Sequence, residues 1–312
     1  MVRVARLYHT EGLRQPEIAA RLDLSQARVS RLLKRAEAEG IIKITVTAPP
    51  GILAEVEEAL QQAYGLNLAL VVDSDGGEEQ LLHDLGAAAA YYVEATLRSG
   101  DVIGISSWSS SLLATVDAMR PIPKLSGVRV VQMLGGVGSP SARLHANRLT
   151  HHLAELVAGE VVALPTPGIA GSAESARAMR DDPFVAGGMA LFPKLTIALV
   201  GIGALEPSRL LASSGNVFAQ AELDQLQRAG AVGDISLRFF DAAGRPVRTA
   251  LDERVIGITL DELQAVGRCV AVAGGLRKAD AIHAALRGSW VHALVTDRGT
   301  AERLLELAAA RS

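Results

Sequence analysis

The chain has 312 residues, 49% hydrophobic and only 4% aromatic, which suits about two globular domains whose cores are filled by Ala, Val, Leu and Ile. The formal charge of −3 conceals an asymmetry: residues 1–47 carry +4 and the remainder −7, as expected of a small DNA-reading head on an acidic body. The single cysteine, Cys269, excludes an intrachain disulfide framework and a multi-cysteine zinc site, and no apolar stretch reaches the length of a membrane span.

Arg3, Arg6 and His9 break up any leader-like start, so the cytoplasm is the expected compartment. Residues 2–11 are predicted as a short helix with Val4, Leu7 and Tyr8 on one side. A second helix is predicted over 15–22, with Ile18, Ala19 and Leu22 inward and Pro16 in its first turn, where a missing N–H costs little. Asp23-Leu24 makes the turn, and Ser25 is a good N-cap for a third helix running to about Glu39. Val29, Leu32, Leu33 and Ala36 fall at i, i+3, i+4 and i+7, one apolar stripe, while Arg28, Arg31, Lys34 and Arg35 take the other face. Gly40 ends this helix, and Ile41–Val46 reads as a wing strand. Pro49-Pro50-Gly51 is the linker candidate. Residues 52–64 form another amphipathic helix, suited either to joining subunits or domains or to packing on its own domain.

From Leu68 onward strands and helices alternate. Strands are predicted at 68–73, 101–106, 128–134, 160–164, 195–202, 234–240, 268–273 and 291–296. Helices are predicted at 78–98, 110–119, 143–158, 219–229, 277–287 and 298–310. Several strands are continuous apolar runs, the pattern of parallel strands buried on both faces, and Cys269 is expected inside one of them. The expected organisation is a DNA-binding domain over 1–48, a linker and helix over 49–66, and an effector and oligomerisation domain over 67–312.

A helix, a tight turn and a second helix with a basic outer face fit the major groove, the second helix pointing its N-terminal residues at base edges. Gln26, Ala27, Arg28 and Ser30 are therefore expected at or near bases, and Arg31, Lys34 and Arg35 at phosphates, which position without specifying sequence. Arg14, Gln15 and Ser25, at the two helix starts, complete the expected DNA-binding set, Ser25 dividing its role between capping and phosphate.

Leu7-Tyr8, Ile18–Leu22, Ser25 and the run Val29–Ile42 resemble the head of the SorC family of sugar-responsive bacterial regulators. Arg14 departs from that pattern, standing where the family usually has a small capping residue, and adds a cation near the DNA backbone.

In the body, Gly104-Ile105-Ser106-Ser107-Trp108-Ser109-Ser110-Ser111 follows a strand and enters a helix, so free N–H groups and hydroxyls make an anion site. Ligands of an open parallel sheet sit beyond the carboxyl ends of its strands. The other loops there hold Gln132, Gly135 and Gly136; Gly201 and Gly203; Asp234; and Lys278 after Gly274-Gly275. Lys278 suits a phosphate, Asp234 suits sugar hydroxyls, and Gln132 suits either. The competing readings are caps, turns, glycine packing and a surface lysine. No P-loop or dinucleotide fingerprint is present, and His151-His152 point to different faces of a helix rather than to one metal.

Gly104–Ser110, Gln132–Gly136, Asn147, Val200–Ala204, Ala231–Ile235 with Arg238–Asp241, and Ala273–Lys278 onward to Thr296-Asp297 extend the SorC resemblance to nearly the whole chain. The resemblance implies a Rossmann-like body related to sugar-phosphate isomerases and coenzyme A transferases, a phosphorylated-sugar effector, and a homo-oligomer built as a dimer of dimers. It implies phosphate at the Ser106–Ser110 loop and Lys278, with Gln132 and Asp234 toward the sugar. No lysine lies in Val131–Gly138, so an imine-forming effector there is unsupported. The expected partners are double-stranded operator DNA and a sugar-phosphate, sugar or polyol effector, with no cofactor and no metal. Two rivals stand beside this regulator. One is an isomerase-like enzyme with an appended head, which would need a positioned acid or base such as Asp234. The other is a regulator whose body only oligomerises.

Overall fold

The computed structural model describes residues 1–41, 53–137, 140–206 and 219–310, and the chain divides into two compact units, Met1–Pro50 and Gly51–Ser312. The expected wing strand beyond Ile41 and the Pro49-Pro50-Gly51 linker lie outside the described residues.

In the head, α1 (Val2–His9), α2 (Gln15–Leu22) and α3 (Gln26–Ala38) close on Val4, Leu7, Ile18, Ala19, Val29 and Leu33. Tyr8, expected inside with Val4 and Leu7, is 38% exposed and meets His9 edge-on. In so short a helix the i, i+3 pair Val4 and Leu7, with Ala5 beside them, faces inward and Tyr8 falls at its edge. Asp23 makes the turn in the left-handed region (φ 53), which lets Leu24 N–H donate to Ala19 O at 2.9 Å. Ser25 Oγ accepts from Arg28 N at 3.2 Å, the expected cap of α3. Arg14 has no acceptor to offer α2. Glu17 supplies the other half of a capping box instead, its carboxylate accepting Arg14 N–H at 2.7 Å. That bond holds the Glu17 carboxyl below its ordinary range.

The body's strands are β1 (Leu68–Val72), β2 (Val102–Ile105), β3 (Arg129–Gln132), β4 (Glu160–Val162), β5 (Ile197–Val200), β6 (Gly203–Ala204), β7 (Ala231–Ile235), β8 (Arg238–Asp241), β9 (Cys269–Val272) and β10 (Ala293–Asp297). Seven form a parallel sheet ordered β1-β10-β9-β5-β2-β3-β4, and β6-β7-β8 form a small antiparallel sheet. Helices α4 (Ala54–Tyr64), α5 (Glu78–Thr96), α6 (Ser110–Ala118), α7 (Pro140–Leu156), α8 (Ala173–Asp181) and α9 (Pro183–Met189) precede β5. Helices α10 (Gln220–Arg228), α11 (Leu260–Ala265), α12 (Ala279–Arg287) and α13 (Arg298–Ala309) follow it.

Alternation along each strand sends neighbouring side chains to opposite faces, and both faces are covered, so the strands read as unbroken apolar runs. On one face Leu85 of α5, Leu112 of α6 and Leu153 of α7 bury Ile103, Ile105, Val270 and Val272. On the other, Leu60 of α4, Ile282 of α12 and Leu304 of α13 bury Val102, Val200 and Ala271. Cys269 lies wholly inside this layer, and burial pushes its thiol far above the ordinary range. Helix α4 packs on the body: Leu60 is fully buried and Glu57 Oε1 accepts from Val71 N at 2.9 Å.

The single strand predicted over 234–240 is a hairpin. β7 turns into β8 at Ser236 and Leu237, with φ of 52 and 62, a two-residue turn of the mirror-image type. Asn-Gly would announce such a turn; Ser-Leu does not. Helices α8, α9 and α11 have no counterpart in the prediction, since α9 contains Gly187-Gly188 and α11 spans six residues held by a Thr259–Glu262 capping box. The chain steps outward from β2 to β3 to β4 and returns to β5 on the other side of β2. The connections leaving β2 and β5 therefore diverge and open a crevice at their carboxyl ends.

Candidate functional site

In the head, Ser25, Gln26, Ala27, Arg28, Arg31, Lys34 and Arg35 are exposed, and Ser30 is half-buried. The apolar stripe of α3 faces inward, which leaves its basic face outward. Arg35 Nε bonds Glu39 Oε1, Arg31 Nε bonds Ala27 O at 3.3 Å, and Arg21 pairs with Glu11 at 3.2 Å. Arg28 and Lys34 form no ion pair among the described residues. Arg14 is exposed at the start of α2 beside half-buried Gln15, with a 3.4 Å contact to Glu17.

In the body, a cavity of about 300 Å³ opens where the carboxyl ends of β2 and β5 diverge. Ser106 and Trp108–Ser111 form one wall and Gly201–Ala204 the next. Asp234, Ser236 and Leu237 of the hairpin, Gly274–Lys278 after β9, and the first turns of α5 close it.

Each wall is fixed by local chemistry. Ser109 caps α6, its Oγ accepting from Leu112 N at 3.3 Å, and Ser111 Oγ donates to Val272 O at 2.6 Å. Ser110 begins α6 and lines the cavity, so the unpaired N–H groups of this helix start belong to the cavity wall. Gly275 adopts φ 92, and its N–H donates at 2.7 Å to Asp297 Oδ2, which also accepts from Thr300 Oγ1 at 2.7 Å. This clamp ends at Lys278, the N-cap of α12. Asp234 Oδ2 accepts from Leu237 N at 2.9 Å and so holds the hairpin turn. A Cβ at Gly203 would collide with Asp234 Oδ1, so glycine here leaves that carboxylate its position.

Burial raises the Asp234 carboxyl to about 6, although Leu237 N–H and Lys278 both pull it down. Burial lowers Lys278, as does neighbouring Arg277, while Asp234 and Glu78 oppose the shift. Lys278 thus stands in the field of two carboxylates, one on the hairpin and one on α5.

The structure brings eight of the expected effector residues to this cavity: Ser106, Trp108, Ser109, Ser110, Gly201, Gly203, Asp234 and Lys278. Five others lie outside its walls. Gly104 is inside β2, where Met133 and Leu195 leave no room for a Cβ. Ser107 Oγ donates to Leu134 O at 2.7 Å. Gln132 Oε1 accepts from Leu164 N at 2.9 Å, and Gly135 and Gly136 pack against Pro167 and Gln132. Trp108 Nε1 donates to Gly135 O at 3.1 Å, so this second shelf braces the serine loop. The sequence reading missed Glu78, Leu81, Leu82 and Leu85 of α5, Glu206, Ser236 and Leu237, and Leu276 and Arg277. No local signal marks Glu78: it comes to the cavity because β1 ends at the same sheet edge and the loop after it leads straight into α5. His152 Nδ1 lies 3.5 Å from Asp117, and among the described residues no group of three or more His, Cys, Asp or Glu is placed to hold a metal. No helix among them is long and apolar enough to cross a membrane.

A sugar-binding domain family model, Sugar-bind, matches residues 49–306, and a MarR family model matches residues 5–51. The chain is 32% identical over 305 residues to the deoxyribonucleoside regulator of Bacillus subtilis, covering 97% of this chain and 96% of that one. It is 31% identical over 319 residues to the sorbitol operon regulator of Klebsiella pneumoniae, covering 98% and 97%. The crystal structure of the full-length sorbitol operon regulator SorC from Klebsiella pneumoniae matches with a TM-score of 0.75 at 29% identity, over 97% of each chain.

Proposed function

We propose, on the premise that the chain belongs to the family of SorC-type sugar-binding transcription regulators, that its cavity takes a phosphorylated sugar or polyol whose binding sets the head's affinity for operator DNA. The protein is a DNA-binding transcriptional regulator under effector control. The observation that carries the ligand class is the meeting of Lys278, the α6 N-terminus and Asp234 in one cavity. The helix start and Lys278 hold the phosphate by oriented N–H groups and charge. Asp234 accepts from hydroxyls, and Trp108, Leu81 and Leu85 cover the carbon skeleton. In the head, Gln26, Ala27, Arg28 and Ser30 meet base edges, while Arg14, Gln15, Ser25, Arg31, Lys34 and Arg35 meet the backbone. The working protein is a dimer of dimers, with a solution mass four times that of the chain.

The body binds its ligand without converting it. Of the three carboxylates that line the cavity, Glu78, Glu206 and Asp234, two serve as counter-charges to Lys278. Incubation with ribose 5-phosphate, glucosamine 6-phosphate or triose phosphates should leave each unchanged, and turnover of any of them would favour the isomerase reading.

The test is fluorescence anisotropy with DNA from upstream of the protein's own gene, titrated with and without phosphorylated and free sugars and polyols. Saturable, salt-sensitive binding that a phosphorylated compound shifts is the expected result. A shift by a free polyol alone would remove the phosphate from the reading. Absence of DNA binding under every condition would overturn the regulator itself.

A further inference from the structure

Helix α12 starts at the cavity. Lys278 is its N-cap, and Ala279 to Leu286 are buried apart from Asp280. Three walls press on it. Gly233, beside Asp234 on β7, lies so close that a Cβ would sit 2.6 Å from Ala281 Cβ. Gly244, after β8, leaves no room for a Cβ against Ala284 O and Gly288, and Trp290 Nε1 donates to Gly244 O at 2.8 Å. The third wall is α13, which also carries much of the packing of α4, the first described helix of the body; α4 itself reaches α12 through Tyr64.

The contact with α4 is polar in an otherwise apolar layer. Tyr64, the last residue of α4, places its hydroxyl 2.7 Å from His283 Nδ1 and 2.7 Å from the carbonyl of Leu304 on α13. A carbonyl only accepts, so the single phenolic proton goes to Leu304 O. Nδ1 must then carry a hydrogen and donate to the Tyr64 oxygen, which fixes the side of the ring that is protonated. Burial pushes the Tyr64 hydroxyl up to about 12, so it keeps its proton. His283 is only 6% exposed, and its ring meets that of Tyr64 edge-on. A pair so placed has one good geometry, unlike apolar side chains that can slide past one another. His283 lies five residues beyond Lys278, roughly 7.5 Å along a rigid helix.

We propose that α12 carries effector occupancy from the cavity to the head, and that Tyr64 and His283 are the positioning residues through which α4 registers its movement. This rests on the regulator reading given above. A ligand drawn to Lys278 and Asp234 pulls on α12 at its N-cap and through β7. The donor–acceptor chain from His283 through Tyr64 to Leu304 makes α4 follow, and α4 continues into the segment that leads to the head. Without that chain, α4 remains packed by Leu60 and against α13, and only apolar contacts, which can slide, relate it to shifts of α12.

The experiment measures two affinities in wild type, Tyr64→Phe, His283→Asn and His283→Gln. One is for upstream DNA by anisotropy. The other is for inorganic phosphate, 2-deoxyribose 5-phosphate and sorbitol 6-phosphate by calorimetry. Wild type should show a change in DNA affinity of about tenfold or more with the compound that binds, a common scale for coupling between sites. Tyr64→Phe keeps the ring and loses the hydroxyl. It should bind DNA and the compound as wild type does when each is tested alone, within about twofold, while the change in DNA affinity falls below about threefold. Asn presents its amide N–H where Nδ1 lies and should retain the change. Gln reaches toward the Nε2 position and should lose it. Full coupling in Tyr64→Phe, or equal coupling in the Asn and Gln variants, would overturn the proposal and leave the regulator reading standing. A compound that binds wild type without altering DNA affinity would overturn both. Should Tyr64→Phe unfold, the Asn and Gln pair decides by itself.

Discussion

Asp234→Asn removes a titration while leaving an acceptor for Leu237 N–H, so it isolates the effect of the charge. The folded body holds this carboxyl at about 6, against an ordinary 3.8 in the unfolded chain. Between those two values the folded state keeps a proton that the unfolded chain has released. Wild-type stability therefore falls as pH rises from about 4 to about 6, and is level above. A displacement of this size corresponds to about 3 kcal/mol at most. Asp234 is only partly buried, so about 2 kcal/mol is the working figure after allowance for solvent. For a body of this size that is roughly 4–8 °C in Tm. Thermal unfolding of wild type and variant in parallel from pH 4.5 to 8 reads it directly. The variant's Tm should gain on wild type up to about pH 6.5 and keep a constant lead beyond. A difference in Tm that is the same at every pH would refute the buried-carboxylate reasoning.

Lys278→Ala should cost effector affinity roughly 1.5–3 kcal/mol, the scale of a hydrogen bond to a charged group, and abolish the response while sparing DNA binding; normal induction would place the anion elsewhere. Arg28→Ala should weaken operator binding by about 1–3 kcal/mol and relax sequence preference, whereas Lys34→Ala should weaken all DNA alike and lower the salt slope by about 1. Equal operator binding by Arg28→Ala would remove it from the base contacts. Gly203→Ala pushes a methyl against Asp234 Oδ1 and should lower effector affinity by about 1–3 kcal/mol, the usual scale of overpacking. Calorimetry showing wild-type affinity would mean that Asp234 has room to turn away without loss.

Much of the head was legible because its signals are local. The Val29, Leu33, Ala36 stripe and the Ser25 cap are fixed by spacing within one helix, and the fold uses them as written. The parallel strands were legible for a similar reason, since burial on both faces leaves unbroken apolar runs such as Cys269–Val272. The candidate cavity was legible wherever a single loop supplies its lining, as with Ser109 and Lys278. It was not legible where tertiary pairing reassigns a residue. Gln132 has the right amide for a ligand, but its carbonyl oxygen is taken by Leu164 N, thirty-two positions away. Glu78 has no local mark at all, and only the placement of β1 at the same sheet edge brings it to Lys278.

Departures from local preference gather at the cavity, and that clustering supports its role. Ser236 and Leu237 both take left-handed backbone, at about 1–2 kcal/mol each for residues with a Cβ. Asp23, Ala158 and Ser289 also have positive φ, but each follows a helix end and simply reverses the chain. At 236–237 the turn does more: it points Asp234 Oδ2 at Leu237 N, brings Ser236 Oγ within 3.3 Å of Ser106 Oγ, and buries the Leu237 side chain in the wall. Arg238, the next residue, is held by the carbonyls of Asp252, Val255, Gly257 and Ile258, which anchors the strained turn from behind. Strained backbone, a carboxyl kept at about 6 and a lysine lowered by burial thus share one cavity. A fold selected for stability alone would relieve these with glycine, an amide and a neutral side chain. Their retention together fits a site that exchanges internal charge contacts for those of a ligand.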